Sequence, residues 1–332
     1  MRWLTRRVPG VTHLICNATF AGSESEVWAK TLGATWLVAQ LPELCSASTA
    51  TFKLHLTLGS VVAAKLFRLN TNYCRIQDDI WGALSERMTE LTLNLTPHKD
   101  EPMRMSVLTQ LTSLVSLEIC IMGDPLGDMD DEVTASYHLS LPGLESLHMR
   151  GINAKNLSLH CPRLRNLVMD YPYIEGILSL PASLEDFAIR GVAPFHEPFP
   201  VSNLLGLTSL LCHVPLSIDR DALYAALPSM SALRKLDIIS FFGQLPPLLP
   251  PSLRAVRYFV TGEYPLSSQE LQHFAKACKL PELQSMGLYN CQTWKPYEIR
   301  TLQKIQQECK ANIIVEKNWK DEDRVASGGR PG

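Results

Sequence analysis

Side chains able to hold a metal ion stand close together at three places in the sequence. Two are the adjacent pairs His160-Cys161 and Cys212-His213, in which neighbours on a strand would point to opposite faces. The third is the acidic run Asp124–Glu132, which lacks the glycine at position six and the glutamate at position twelve of a calcium loop. We therefore predict no metal site.

Side chains arranged for catalysis are not found either. The sequence contains no phosphate-binding glycine loop, no nucleophile elbow and no His-Glu-x-x-His pair. Nine cysteines are scattered without a Cys-x-x-Cys pair, which argues against a zinc ribbon or a dithiol redox motif. We predict that the protein is not an enzyme, has no cofactor, and keeps its cysteines reduced inside the cell.

Composition excludes several further classes of protein. The 332 residues are 46% hydrophobic, with 31 basic against 33 acidic residues and a net charge of −2. This balance argues against intrinsic disorder and against a nucleic-acid binder with a strong basic face. No apolar run is long enough to span a membrane, and Pro9 and Gly10 fall where a signal peptide needs apolar residues. We expect a cytoplasmic or nuclear monomer with no membrane contact.

A short repeat is the most informative feature of the chain. Its full form reads apolar-Pro-x-apolar-x-x-apolar-x-apolar, and six of ten copies carry the proline. The ten copies are Val8–Cys16, Met88–Leu93, Leu111–Ile119, Leu141–Met149, Cys161–Met169, Leu180–Ile189, Leu204–Cys212, Met230–Ile238, Leu249–Tyr258 and Leu280–Leu288. From Met88 onward, the second apolar position recurs at steps of 20 to 30 residues.

This spacing and pattern resemble those of leucine-rich repeat proteins, whose periods are about 20–29 residues. The resemblance implies an α/β solenoid. One curved parallel sheet would line the concave side, and short helices, 3₁₀ turns and extended segments the convex side. The third and fourth apolar positions would point into a shared core, since one repeat cannot bury its own leucines.

The repeats depart from the regular family pattern. The asparagine or cysteine that usually follows the strand is mostly missing, and repeat lengths are irregular. This favours a resemblance to the repeats of F-box leucine-rich repeat proteins, although no F-box module is visible because repeat-like sequence already begins at Val8.

The chain is expected to fall into three parts. Residues 1–82 would form degenerate repeats or a separate cap, residues 83–315 the solenoid with its C-terminal cap, and residues 316–332 a disordered tail. Helices are predicted over Asp219 to Leu227, after the capping box Ser267–Glu270, and from Pro296, followed by a last strand over Ala311 to Val315. Nearer the N-terminus, Glu24 to Leu41 has a helical pattern and Phe52 to Leu58 alternates like a strand, with room for two repeats between Val11 and Met88.

Partner binding is predicted on the outward positions of the strands. The middle repeats carry mixed charges there, and the C-terminal ones place aromatic residues beside arginine, a composition enriched at binding hot spots. The candidate residues are His148, Arg150, Asp170, Arg190, His213, Asp237, Arg257, Phe259 and Tyr289. A solvated face with ordinary exposed residues, or one covered by loops, is the alternative. We expect the pair of substitutions Arg257→Glu and Tyr289→Ala to abolish binding without changing the melting temperature.

The predicted function is a non-catalytic protein-interaction module, whose resemblance implies a substrate-recognition adaptor of a ubiquitin ligase. Two alternatives remain open. The chain could be the sensor region of a nucleotide-binding defence receptor, or a regulator that inhibits an enzyme. The sequence does not identify the protein partner.

Overall fold

The computed structural model describes twelve stretches of the chain. They are residues 13–16, 46–49, 68–72, 88–95, 105–121, 136–191, 201–214, 219–240, 246–260, 268–289, 296–309 and 311–316. The chain divides into two compact units, Met1–Asn166 and Leu167–Gly332.

The first unit carries a parallel sheet whose strands pair in chain order. Its described strands are β1 (His13–Cys16), β2 (Ser46–Thr49), β3 (Arg68–Asn72), β4 (Glu90–Leu95), β5 (Ser116–Ile121), β6 (Ser136–Leu139), β7 (Ser146–Arg150), β8 (Asn153–Ala154) and β9 (Asn156–Leu159). The main sheet follows the order β1, β2, β3, β4, β5 and β7, and all neighbours are parallel. Strands β6 and β9 form a separate parallel pair, and a 3₁₀ turn spans Met105–Gln110.

The second unit contains a parallel sheet of the same kind, together with three described helices. Its strands are β10 (Asn166–Asp170), β11 (Tyr173–Ile174), β12 (Leu178–Ser179), β13 (Asp186–Arg190), β14 (Ser209–Val214), β15 (Lys235–Ser240), β16 (Ala255–Val260), β17 (Ser285–Tyr289) and β18 (Asn312–Glu316). Strands β13 to β18 are parallel and pair in chain order. The helices are α1 (Asp219–Ala226), α2 (Ser268–Ala277) and α3 (Pro296–Glu308), with 3₁₀ turns at Val201–Leu204 and Leu227–Ser229.

Each repeat found in the sequence becomes one strand of a main sheet. In all ten copies the strand begins two residues after the second apolar position, as Ser146 follows Leu144 and Ser285 follows Leu283. The third and fourth apolar positions are buried from β5 through β17. The leucine-rich repeat fold predicted from the sequence is therefore confirmed within each unit.

A tight turn before the strand explains the repeated proline. The amide of Leu144 donates to the carbonyl of Leu141, and that of Leu164 donates to the carbonyl of Cys161. In these two repeats proline occupies the second position of a four-residue turn, where its fixed φ is favoured.

A backbone ladder at the strand starts joins one repeat to the next. The amides of Arg234 and Lys235 both donate to the carbonyl of Thr208, and those of Arg254 and Ala255 both donate to the carbonyl of Arg234. Seven carbonyls of the described repeats each accept from two amides of the following repeat, which satisfies backbone groups at the strand starts without a side chain.

The three helices confirm the sequence signals, with one shift at an end. Helix α1 stops at Ala226 and gives way to a 3₁₀ turn, since Pro228 has no amide to donate to the preceding turn. Helix α2 begins within the predicted capping box, and α3 begins at Pro296 as predicted. The last strand, β18, covers Asn312–Glu316, one residue later than expected.

The N-terminal predictions are tested only in part. Two strands, β2 and β3, lie between the first repeat and β4, which matches the room for two repeats in the sequence. The predicted helix over residues 24–41, the predicted strand over residues 52–58, and residues 317–332 lie outside the described residues. The part boundaries at residues 82 and 315 stay predictions.

In the second unit, residues with left-handed backbone directly follow two candidate site residues. Tyr171 comes after Asp170 with φ of 51°, and Gly191 comes after Arg190 with φ of 93°. The amide of Tyr171 donates to the carbonyl of Arg190 at 2.7 Å. The ring of Tyr171 lies over Gly191, where an added Cβ would come within 2.4 Å of it. These sharp turns end the strands directly after Asp170 and Arg190 and so fix the backbone positions of both residues.

Candidate interaction surface

The candidate site is the face of each main sheet that points away from the leucine core. We call it the outward face, formed by strand residues that alternate with the buried third and fourth apolar positions. Register places the candidates side by side. Glu118 lies opposite His148 in the first unit, and Asp237 lies opposite Arg257 in the second.

The outward face of the first unit carries a chain of polar contacts across three strands. The hydroxyl of Thr92 donates to Oε2 of Glu118 at 3.3 Å, and Nδ1 of His148 lies 3.4 Å from Oε1 of Glu118. His148 lowers the pKa of Glu118, with smaller contributions from Thr92 and Arg150, and these outweigh the effect of burial. The carboxylate is therefore the favoured form. Arg150 is half-buried and lies in register with the buried Cys120.

The second unit begins its outward face with the pair Asp170 and Arg190. The two side chains form an ion pair of 3.7 Å between Nη1 and Oδ1. Asp170 is only 4% exposed, whereas Arg190 is half-buried. Asp170 therefore anchors Arg190 and is not itself open to a partner.

Asp237 is the most deeply buried charged residue among those described. It is 1% exposed and accepts two hydrogen bonds from Arg257, from Nε at 2.8 Å and from Nη2. The ammonium of Lys235 lies 3.5 Å from Oδ2 of the same carboxylate. A buried carboxylate needs such partners, because an unpaired one would be strongly destabilising.

An aromatic pair on β16 and β17 extends this cluster on the outward face. The guanidinium carbon of Arg257 lies 5.8 Å from the centre of the Phe259 ring, within cation–π range. Phe259 stacks on Tyr289, with 4.7 Å between the ring centres and 13° between the planes. The Tyr289 ring also covers Gly287, where an added Cβ would come within 2.5 Å of it.

The nine predicted residues differ in how much of each side chain a partner could touch. Asp170, Asp237 and Phe259 are buried, so they can position neighbours but offer little surface. His148, Arg150, Arg190, Arg257 and Tyr289 are partly exposed. The backbone of His213 lies in β14, but its side chain is outside the described part of the structure.

The expectation for the Arg257→Glu substitution changes with this geometry. A glutamate there would face the buried Asp237 carboxylate in place of the guanidinium that holds it. The variant would lose stability as well as surface charge. Arg257→Glu is therefore a poor probe of binding alone.

Sequence reasoning missed Lys235 as a candidate. It stands two residues before Asp237, and alternation along a strand puts both on one face, so the same alternation could have found it. A row of half-buried apolar side chains, Val168, Ala188 and Leu211, also lies on the outward face. Alternation assigns these three to the outward face, but the nine candidates leave them out. We call them the apolar row.

Metal and thiol chemistry find no support in the described residues. No group of three or more His, Cys, Asp or Glu that could hold a metal lies within those stretches, and the acidic run 124–132 lies outside them. The described cysteines that form no disulfide are Cys120, Cys161, Cys212, Cys278 and Cys309. Burial raises the pKa of Cys212 to about 12, which disfavours the reactive thiolate. None of the described helices is long and apolar enough to cross a membrane.

Comparison with known proteins adds little beyond a likeness of fold. No family model matches the chain, and no curated protein matches it. Twenty-one chains of solved structures do match. One is an internalin from Listeria monocytogenes, 17% identical, covering 85% of this chain and 82% of the internalin with a TM-score of 0.48. The fold therefore rests on the order and register of this chain's own strands.

Proposed function

We propose that the protein is a non-catalytic, monomeric interaction module that binds a protein partner on the outward face of its repeat strands. The observation that carries the proposal is the cluster in the second unit. There Asp237 fixes Arg257, Arg257 lies over Phe259, and Phe259 stacks on Tyr289. Arginine and tyrosine are enriched among residues that dominate binding energy.

Preorganisation supports this proposal. Immobilising a long side chain on binding costs about 0.5–1.5 kcal/mol, and a side chain already held in place avoids that cost. Arg190 and Arg257 are both held by buried carboxylates while their guanidinium groups remain partly exposed. Two arginines held in this way support a role of the outward face in partner binding more than a role as an ordinary solvated surface.

The finer proposal is that the bound partner is a substrate delivered to a ubiquitin ligase. It rests on the resemblance of the irregular repeats to those of F-box leucine-rich repeat proteins. The test is co-purification of the full chain with a ligase scaffold subunit. Absence of the scaffold from a complex that still contains the partner would reduce the proposal to protein recognition alone.

The main experiment is affinity purification from the native source, with partners identified by mass spectrometry. Tyr289→Ala, Arg190→Lys and Arg150→Ala change partly exposed members of the outward face, and lysine at position 190 keeps a cation beside the buried Asp170. We expect Tyr289→Ala to weaken capture most, because it removes a large ring at the end of the ordered cluster.

Two control substitutions use apolar residues outside the main sheets. Ile177 and Leu248 are 66% and 65% exposed, and alanine at either should leave capture unchanged. All variants should first be shown to melt cooperatively within a few degrees of the wild type. Loss of capture in the controls, with retention in all outward-face variants, would contradict the proposed function.

A further inference from the structure

We propose that the outward face of the second unit recognises an acidic protein segment, in which an acidic and an apolar side chain stand about three residues apart. This inference rests on the proposed function and specifies its partner. It starts from the charges that β15 and β16 bring together.

The starts of β15 and β16 form a local basic patch in a protein with a net charge of −2. We call Lys235 and Arg257, which lie on the outward face of these strands, the basic patch. Both lie within ion-pair distance of one described carboxylate, that of Asp237. Two cations gathered at a single buried carboxylate favour an acidic partner.

Lys235 is the member of the basic patch best placed to meet a partner's carboxylate. Its side chain is 47% exposed, and its cross-strand neighbours at the same level are Ser209 and Ala255, followed by Ser285. Because these neighbours are small, they leave room around the ammonium. The Asp237 carboxylate lies 3.5 Å from the Lys235 ammonium. Its single negative charge is shared by two cations, Lys235 and Arg257.

An apolar row adjoins the basic patch. Ala188 lies in register with Leu211, and Leu211 in register with Asp237. Both apolar side chains are half-buried, so an apolar side chain of a partner would remove their remaining surface from water. The apolar row therefore suits the second element of the recognised segment.

The distance between neighbouring strands sets the separation of the acidic and apolar residues in the segment. The centre of Ala188 and Leu211 and the centre of Lys235 and Arg257 are two strand spacings apart, or about 10 Å at about 4.8 Å per strand. A peptide in the polyproline II conformation advances about 3.1 Å per residue with three residues per turn, so its side chains three residues apart lie on one face. The acidic and apolar side chains should thus stand about three residues apart.

Charge on β13 fixes which element of the segment lies over which strands. Glu185 and Asp186 are exposed at the start of β13, and Asp186 lies in register with Ser209. An acidic side chain of the partner would be repelled there and attracted two or three strands further on, at β15 and β16. The apolar residue therefore lies toward β13 and the acidic residue toward β16.

The experiment measures binding of dye-labelled peptides to the full-length protein by fluorescence anisotropy. The probe repeats Leu-Ser-Ser-Glu, and two matched peptides replace Glu by Gln or Leu by Ser. We expect the probe to bind, the Gln peptide to bind at least about tenfold more weakly, and the Ser peptide to be intermediate. Affinity for the probe should fall as salt is raised.

Matched neutral substitutions localise the binding. Lys235→Gln should weaken probe binding about tenfold, whereas Lys279→Gln changes the net charge equally at an exposed position after α2 and should have little effect. Equal loss in both variants, or equal binding of the Glu and Gln peptides, would overturn the inference. So would tighter binding of a single-stranded oligonucleotide or of anionic lipid vesicles than of the probe.

The outcome separates this inference from the proposed function. If the native partner depends on Tyr289 but not on Lys235, the acidic segment is wrong and the interaction surface stands. If the native partner depends on neither residue nor on Arg190 or Arg150, the interaction surface itself is wrong.

Discussion

The two units place a carboxylate and a basic side chain at the same kind of position, between adjacent repeats on the outward face, yet bury the carboxylate differently. In the first unit the Glu118 and His148 side chains are 45% and 34% exposed. In the second, the Asp237 side chain is 2% exposed and receives two hydrogen bonds from Arg257. The Glu118–His148 pair is therefore in contact with solvent, whereas buried Asp237 fixes the position of Arg257.

The difference has consequences for how each unit could contribute to recognition. An exposed pair adds about 0–1 kcal/mol, because water competes for both charges. A buried carboxylate loses far more when its partner is removed. The first pair can therefore respond to pH or salt, while the second holds Arg257 over Phe259 in a fixed position.

The largest expected effect comes from removing the guanidinium that holds Asp237. Arg257→Ala should lower the free energy of unfolding by about 2–3 kcal/mol, below the usual range for buried pairs because Lys235 still lies near the carboxylate. Urea denaturation monitored by circular dichroism measures this change.

A double substitution shows whether the loss comes from a stranded charge. Asp237→Leu combined with Arg257→Met replaces both charges by apolar groups and should recover most of the lost stability. A double variant as unstable as Arg257→Ala would mean that lost packing, not the unpaired carboxylate, is responsible.

The smallest effect is expected at the exposed pair of the first unit. His148 keeps the folded-state pKa of Glu118 below its ordinary value of 4.5. A lowered pKa stabilises the fold above the unfolded-state value, and this contribution disappears as the pH falls through the folded-state value. Glu118→Gln should therefore cost about 0.5 kcal/mol at pH 7 and nothing near pH 2.

Urea titrations of Glu118→Gln and wild type at both pH values test this. A difference that persists unchanged at low pH would show that Glu118 acts through packing and not through its charge. A cost at pH 7 as large as that of Arg257→Ala would remove the distinction between the two units.

The strand positions were predictable from the sequence because they depend on local chemistry. The proline turn and the apolar alternation lie within nine residues of each other, as in Leu141–Met149, so one segment contains the whole signal. The helix starts at the capping box before α2 and at Pro296 were readable for the same reason.

The candidate surface was predictable only as a set of positions. Alternation along the strands found Asp237 and Phe259, but their burial depends on side chains from neighbouring repeats twenty or more residues away. Stacking of Phe259 on Tyr289, and the glycine at 287 that accommodates the tyrosine ring, likewise become visible only once the strands are in register.

Site-directed photo-crosslinking to the native partner tests the central claim most directly. A photoreactive amino acid at Leu211, on the outward face of the second unit, should crosslink to the partner. The same group at Ile177, which is more exposed but lies outside the main sheet, should not. Crosslinks from position 177 with none from position 211 would contradict the claim that this face binds the partner.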